Sequence, residues 1–416
     1  MQVTLDTRFE HRADATEAVD ILRRCVHCGF CTATCPTYQL FGDELDGPRG
    51  RLYLVKQLLE GETPTSRTRL HLDRCLTCRA CESTCPSGVA YGPLVDIGRT
   101  VLAEELPRGP LSKLGRSALA AFLTGPFFRP ALALGRLFRP FLPSGLRRTL
   151  LPREGAGSLP GRSLQRRVLL LAGCVQPALA PNIQAATLRV LDALGIEGVV
   201  PPSAGCCGAI RQHLDEQLSA RDDMRRNIDA WWPAIEAGAE AIVVNASGCG
   251  TMLQDYGRLL RDDLTYADKA ARVSALARDL SEVIAAESDQ LAARLAGTDS
   301  RVTTRVVFHP PCSLQHGLKI RGVVESLLVS AGARLLPFAD SHLCCGSAGT
   351  YSLLQRKTSH ALRERKLAAI GAVRPDVILS ANIGCITQLA DDDGPPVRHW
   401  IEWLDERLRE GFRPPV

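Results

Sequence analysis

All sixteen cysteines of this 416-residue chain fall into two kinds of repeated pattern, with none left over. The first pattern is C-x2-C-x2-C-x3-C-P, at Cys25, Cys28, Cys31, Cys35 and Pro36, and again at Cys75, Cys78, Cys81, Cys85 and Pro86. Three thiolates two residues apart on a tight loop can reach three irons of one cubic 4Fe-4S cluster, so the spacing points to two such clusters. Paired C-x2-C units also build four-thiolate zinc sites. Zinc, however, needs neither the third C-x2-C step nor the terminal Cys-Pro. A disulfide framework fits less well still. The N-terminal MQVTLDTRFEHRADATEAV has no apolar signal-peptide core, so a cytoplasmic, reducing compartment is expected, where thiols persist.

In two-cluster ferredoxins the cysteine before the proline ligates the other cluster. The expected metal ligands are therefore Cys25, Cys28, Cys31 and Cys85 for one cluster, and Cys75, Cys78, Cys81 and Cys35 for its mate. This crossing would hold the clusters close enough for rapid electron exchange.

The second pattern emerges when the C-terminal half is laid on itself. Cys174, Cys206-Cys207-Gly208 and Cys249 recur as Cys312, Cys344-Cys345-Gly346 and Cys385. The first spacing is 32 residues in both copies, and the second is 42 and 40. A duplicated domain explains this most simply. Apolar runs at Val168 to Ala172 and Val306 to Phe308 lead into the first cysteine of each copy. Helical spacing follows at Ile183, Thr187, Val190, Leu191 and Leu194, and at Val323, Leu327 and Leu328. A second short run reaches Cys-Cys-Gly, another helix follows, and a third run (Ala241 to Val244; Val377 to Leu379) delivers the last cysteine. Alternating strands and helices predict two small α/β units with their cysteines in loops at one sheet edge. Gly208 and Gly346 would let the backbone turn closely around a metal centre. These eight cysteines are candidate cofactor ligands. Adjacent cysteines suit a larger iron-sulfur cluster better than tetrahedral zinc, with redox-active thiols or partner docking as the alternatives.

The stretches CVHCGFCTATCPTYQLFGDELDGPRGR, HLDRCLTC, CESTCPSGV, NIDAWWPAIEAGAEAI, SGCG, DSHLCCGSAGTY and ANIGC resemble, in order and spacing, the iron-sulfur subunits of bacterial glycolate oxidases along nearly the whole chain. The repeats also resemble the CCG domains of heterodisulfide reductase, lactate-utilisation proteins and anaerobic glycerol-3-phosphate dehydrogenase, which remain competing readings. The resemblance implies a three-part enzyme. Two flavin subunits carrying FAD oxidise glycolate to glyoxylate, and this chain passes the electrons on, with the quinone pool as the acceptor. The chain shows no G-x-G-x-x-G, H-E-x-x-H or Walker pattern, which agrees with placing flavin and substrate on partners. No catalytic residue is assigned to it. In the heterodisulfide reductase version the last cysteine begins a C-x-x-C pair, but Met252 and Gln388 stand at the second positions here, which argues for a four-thiolate site.

The overall charge of +5 hides an asymmetry. Residues 107–167 carry twelve Lys or Arg against one acidic residue, Glu154, and five of the eleven Phe: Phe122, Phe127, Phe128, Phe138 and Phe141. This Pro- and Gly-rich segment is expected either to rest on the anionic inner face of the cell membrane, or to be an irregular connector that packs its Phe residues against the domains or a partner. Gly125-Pro126, Arg129-Pro130 and Arg136 interrupt every apolar run, so a bilayer span is not expected. Nucleic-acid binding is not expected either, because no recognisable nucleic-acid fold surrounds the charge.

Histidines mark the second copy. His309 and His316 flank Cys312 and His342 precedes Cys344, where the first copy has Leu171, Ala178 and Ala204. Proton transfer, cluster ligation and plain hydrogen bonding are the readings open for them. The turn Gly47 to Arg51 is expected to set the spacing between the cluster motifs, with Arg49 and Arg51 free to contact a partner, and the acidic triplet Asp391 to Asp393 to be a solvated loop. The expected fold is α+β and multi-domain. A mainly α-helical two-cluster ferredoxin-like domain (1–106) and the basic linker (107–167) precede two duplicated α/β CCG domains (168–300 and 301–416).

Overall fold

The computed structural model describes residues 1–142, 147, 150, 155–296 and 304–411. The expected boundary at residue 300 lies outside the described residues. The chain is α+β, with a helical N-terminal part and two small parallel sheets.

Among the described residues the N-terminal part contains no strand. Its helices Ala13–Arg23, Pro48–Leu59 and Tyr91–Glu105 pack on one another around Ala18, Leu22, Val55, Leu59, Leu94 and Val101. Proline sets two starts. Pro36 and Pro48 each occupy the first position of a helix, where a missing N–H costs nothing. The second helix thus begins at Pro48, within the stretch expected to be a turn. Arg51 is consequently carried inward to 1 % exposure, which removes it as a partner contact.

The first repeat forms a sheet of strands β1 (Arg166–Leu170), β2 (Ile196–Val199), β3 (Ile242–Val244) and β4 (Ala277–Asp279), in the order β2-β1-β3-β4. The second repeats the order β6-β5-β7-β8 with β5 (Arg305–His309), β6 (Arg334–Leu335), β7 (Val377–Ser380) and β8 (Val397–His399). Every pairing is parallel, so each repeat collects its strand C-termini, and the cysteines beyond them, along one edge. Cys249 and Cys385 depart from the expected loops. Each is the third residue of a helix, Ser247–Gln254 and Ile383–Leu389.

The two repeats exchange the helices that follow their last strands. Leu280–Ala286, which follows β4, packs on Val323–Ser330 of the second repeat, and Trp400–Gly411, which follows β8, packs on Pro181–Ala193 of the first. Trp400, Ile401 and Leu404 therefore share one buried core with Ile183 and Val190. Each such side chain contributes about 1.5–3 kcal/mol on burial, so the repeats are fused into one body. Arg189 seals the joint, with Nη2 donating to Asp405 Oδ2 at 2.7 Å.

The first part of the linker is helical rather than irregular, whereas residues 155–164 have no regular structure. Helices Pro110–Thr124 and Phe128–Leu137 meet at 82°, with the bend at Gly125-Pro126. Phe128 is buried against Ala178 and Leu179, edge to face with Phe122, whereas Phe127, Phe138 and Phe141 are exposed. The segment is tied down by Arg139 and Arg147, which donate to Asp392 at 2.6 and 2.8 Å. Asp391 accepts from Arg363, so two members of the acidic triplet are anchors, and Asp393 is exposed.

Candidate metal centres

The structure brings the sixteen thiols together in four sets of four. One N-terminal cavity is lined by Cys25, Cys28, Cys31 and Cys85, together with Arg49, Tyr91 and Cys81, which also lines the second cavity. A second is lined by Cys35, Cys75, Cys78 and Cys81, together with Arg51 and again Tyr91. The cysteine before each proline has thus crossed to the other set. Electrostatics reports the same grouping. Burial and the neighbouring Cys25, Cys28 and Cys85 push the Cys31 thiol up to about 11. Burial, then Cys78, Cys75 and Cys35, hold the Cys81 thiol well above its usual range.

The loops that aim these sulfurs are conformationally costly. His27 and Gly29 in the first motif, and Thr77 and Arg79 in the second, all have positive φ (56°, 83°, 50° and 57°). Three of the four are not glycine, and each left-handed non-glycine residue costs of order 1–3 kcal/mol. That strain reverses the chain between successive cysteines, and no compositional signal announced it. Hydrogen bonds then address the sulfurs. Thr77 N–H donates to Cys75 Sγ at 3.4 Å, Val89 N–H to Cys85 Sγ at 3.5 Å and the Tyr91 hydroxyl to Cys75 Sγ at 3.9 Å.

Beneath the second set lies a buried charge network. Asp46, 0 % exposed, accepts from Arg74 at 2.7 Å and Arg51 at 3.4 Å, and sits 3.0 Å from His71 Nδ1. Arg51 Nε also donates to the His71 carbonyl at 2.7 Å. Its guanidinium faces the thiols of Cys75 and Cys35. Fixed positive charge there favours bound thiolates and the reduced state of any cluster they hold.

In the first repeat the four thiols act on one another's acidity in series, Cys174 with Cys206, Cys206 with Cys207 and Cys207 with Cys249. In the second, Cys312 Sγ lies 3.8 Å from Cys344 Sγ, and the mutual influence on acidity continues to Cys345 and Cys385. Gly208 N–H and Gly346 N–H donate to Cys206 Sγ and Cys344 Sγ, each at 3.4 Å. Both glycines have φ near +90°, and a Cβ on Gly346 would stand 2.6 Å from the Ser359 carbonyl oxygen.

The surroundings of the two repeats differ. Beneath the first, Asn227 donates to the Cys206 carbonyl at 2.7 Å and Tyr256 to the Cys207 carbonyl at 2.9 Å. Beside the second stand His309 and the buried Lys366. Burial, then Lys366, hold the His309 imidazole well below its usual range. The three histidines singled out by sequence thus separate. His309 is buried at the thiols, His316 is hydrogen-bonded on both sides and His342 is exposed.

The second N-terminal set and the second repeat adjoin. Cys78 and Cys312 pack in one apolar cluster with Leu76, Cys344, Tyr351 and Leu362, and the Tyr351 hydroxyl donates to the Arg74 carbonyl at 3.1 Å. Asn382 in turn joins the two repeats. Its Oδ1 accepts from Gly248 N–H at 3.4 Å, and its Nδ2 donates to Cys385 Sγ at 3.8 Å. All sixteen cysteines are free thiols. Four convergent sulfurs with N–H donors directed at them are the donor set a 4Fe-4S cluster requires, so the N-terminal sites fit that group.

Comparison with known proteins agrees. Residues 21–89 match the 4Fe-4S dicluster domain, and residues 168–254 and 306–390 each match the cysteine-rich CCG domain. The glycolate oxidase iron-sulfur subunit of Escherichia coli (strain K12) is 50% identical over 413 residues, covering 99% of this chain and 100% of the relative. The "Probable glycolate oxidase iron-sulfur subunit" of Bacillus subtilis (strain 168) is 31% identical, covering 92% and 91%. Lactate utilization protein A of Geobacillus thermodenitrificans is 26% identical, but over only 58% of this chain. With its crossed thiol sets, its paired CCG repeats and a full-length match, the chain belongs to the family of glycolate oxidase iron-sulfur subunits.

Proposed function

We propose that this chain is the electron-transfer subunit of a complex in which two flavin-bearing partners oxidise glycolate to glyoxylate. In this reading Cys25, Cys28, Cys31 and Cys85 hold one 4Fe-4S cluster, Cys35, Cys75, Cys78 and Cys81 hold the other, and the repeats hold further clusters. Such clusters supply one-electron transfer when bound. The chain's own residues do the rest. Tyr91 forms a common wall of the two N-terminal sites, Arg51 sets positive charge beside one of them, and Leu76 and Tyr351 exclude water between Cys78 and Cys312.

The observation that carries the reading is the shared apolar wall of Cys78 and Cys312, which joins the second N-terminal site to the second repeat. With Tyr91 between the two N-terminal sites and Asn382 between the two repeats, the cysteine sites form a series rather than isolated structural staples. Full-length identity to a glycolate oxidase subunit supports glycolate as the fuel. The test is co-purification with two flavoproteins and anaerobic addition of substrate. Bleaching of the cluster absorbance by glycolate is expected. Bleaching by lactate or glycerol 3-phosphate alone would assign the chain to a relative's reaction.

The same reading places the complex on the cytoplasmic membrane face, with quinone as acceptor. Among the described residues no single helix is long and apolar enough to cross a membrane. The bent linker pair instead exposes Leu111, Leu114, Leu134 and Leu137, with Phe127 nearby, on the most basic part of the chain. Apolar side chains amid cationic ones suit an interface with anionic lipid.

A further inference from the structure

The four thiols of the second repeat have a fifth neighbour able to bind metal. His309 ends β5, immediately before the loop that carries Cys312. It is 1 % exposed. One of its ring nitrogens and the sulfurs of Cys345 and Cys385 all lie within 4.8 Å of one another. Two donors on one metal ion stand roughly 3.3–4 Å apart, given metal–nitrogen and metal–sulfur bonds of about 2.0–2.3 Å, so the three atoms are already near a shared ion.

The ring has no other engagement. Neither Nδ1 nor Nε2 of His309 has a hydrogen-bond partner among the described residues. The contrast with two other buried histidines is plain. His316 contacts Ser83 and the His342 carbonyl through its two nitrogens, and His399 contacts Ile401 N–H and the Asn245 carbonyl. A buried polar group without a hydrogen-bond partner calls for an explanation, and metal ligation is one. The backbone at His309 is held in register, since Ser380 donates to its carbonyl at 2.9 Å. In the first repeat the residue at the same offset from the cysteine is Leu171, buried in an apolar cluster.

We propose that His309 is a fifth protein ligand of the second repeat's centre, joining Cys312, Cys344, Cys345 and Cys385, so that the two repeats hold chemically different centres. The proposal rests on the reading that the repeats hold clusters. An imidazole among four thiolates makes one iron chemically distinct from its neighbours. Lys366, buried with Nζ donating to the Asp340 carbonyl, is close enough to Cys345 and Cys344 for its charge to offset theirs. The second repeat thereby becomes the electrostatically distinct member of the series, and it is the one that adjoins the N-terminal thiols.

Mössbauer spectroscopy of the complex grown on 57Fe tests this in every oxidation state, with iron counted per chain. The expected result is more than about 8 irons, the content of two 4Fe-4S clusters, and one distinct iron component that disappears in His309→Ala. The 15N coupling from labelled histidine on a paramagnetic form should vanish with it. His309→Cys, which keeps a donor, should retain the iron count with altered parameters, and serves if the alanine variant does not accumulate. An iron count above about 8 with spectra unchanged by either substitution overturns ligation by His309 alone. About 8 irons in the unmodified chain overturns both this and the reading that the repeats are loaded.

Discussion

The imidazole Nδ1 of His316 lies 2.9 Å from the hydroxyl of Ser83, and so ties the second repeat to the second N-terminal cysteine motif. The other nitrogen, Nε2, lies 2.9 Å from the His342 carbonyl, an acceptor only, so Nε2 carries the hydrogen and Nδ1 accepts from Ser83. Both ring nitrogens are occupied in holding two sites together. Burial lowers the affinity of this ring for a further proton.

His316→Ala is therefore expected to destabilise the chain by about 1–3 kcal/mol and Ser83→Ala by about 1 kcal/mol, measured by urea unfolding of the intact complex. Iron content and the pH profile of turnover should stay as they are. A shifted pH profile with unchanged stability would make His316 a proton donor instead.

Asp46→Asn leaves Arg51 buried at 1 % exposure without its anion. Breaking a buried ion pair on one side costs about 3–5 kcal/mol. The expected outcome is loss of iron from the Cys35, Cys75, Cys78 and Cys81 set before the other N-terminal set, read as iron released per chain under mild denaturant. Equal release from both sets would contradict the role given to this network.

Asp279 and His399 hold equivalent places at the ends of β4 and β8, and each caps the helix that follows. Asp279 accepts from Ser281 N–H at 2.9 Å, and His399 Nδ1 accepts from Ile401 N–H at 3.2 Å. Burial pushes His399 down to about 3. The folded chain thus refuses a proton that the unfolded chain takes up below pH about 6.5. Stability is full above that pH and falls as pH drops toward the folded value, by about 2 kcal/mol at pH 5. His399→Asn, a neutral cap, should flatten the slope between pH 7 and 5 in urea titrations. Asp279, pushed up to about 6 by burial, works in the opposite sense: its contribution is present below pH about 4 and is lost as pH rises through about 6.

The linker predicts a membrane phenotype. Phe127→Asp combined with Leu134→Asp, both exposed, should abolish sedimentation with vesicles containing anionic lipid and leave folding intact. Sedimentation unaffected by the double substitution, or equal on neutral vesicles, would leave this surface to a protein partner.

Much of the site was legible because its signal is local. The crossing of Cys35 and Cys85 follows from the terminal Cys-Pro of each motif, and the repeat follows from Cys-Cys-Gly. What escaped depends on distant partners. Arg51 sits in a sequence that reads as a surface turn, yet Asp46 and the His71 carbonyl draw it inside. The strands β4 and β8 are three residues each, too short to show periodicity. The exchange of the helices that follow β4 and β8 depends on Trp400 and Ile183 joining one core across more than two hundred residues. The left-handed His27, Thr77 and Arg79 carry no glycine to mark them. Conversely, the histidine asymmetry at His309 was visible, but only the structure shows that its ring has no hydrogen-bond partner among the described residues.

The most direct test is glycolate reduction of the intact complex under anaerobic conditions, following flavin and cluster absorbance together. Both are expected to bleach, and in Cys78→Ser the flavin should still reduce while the repeats' centres stay oxidised. Flavin reduction with every cluster of the unaltered chain remaining oxidised would contradict the assignment of this subunit as the carrier of those electrons.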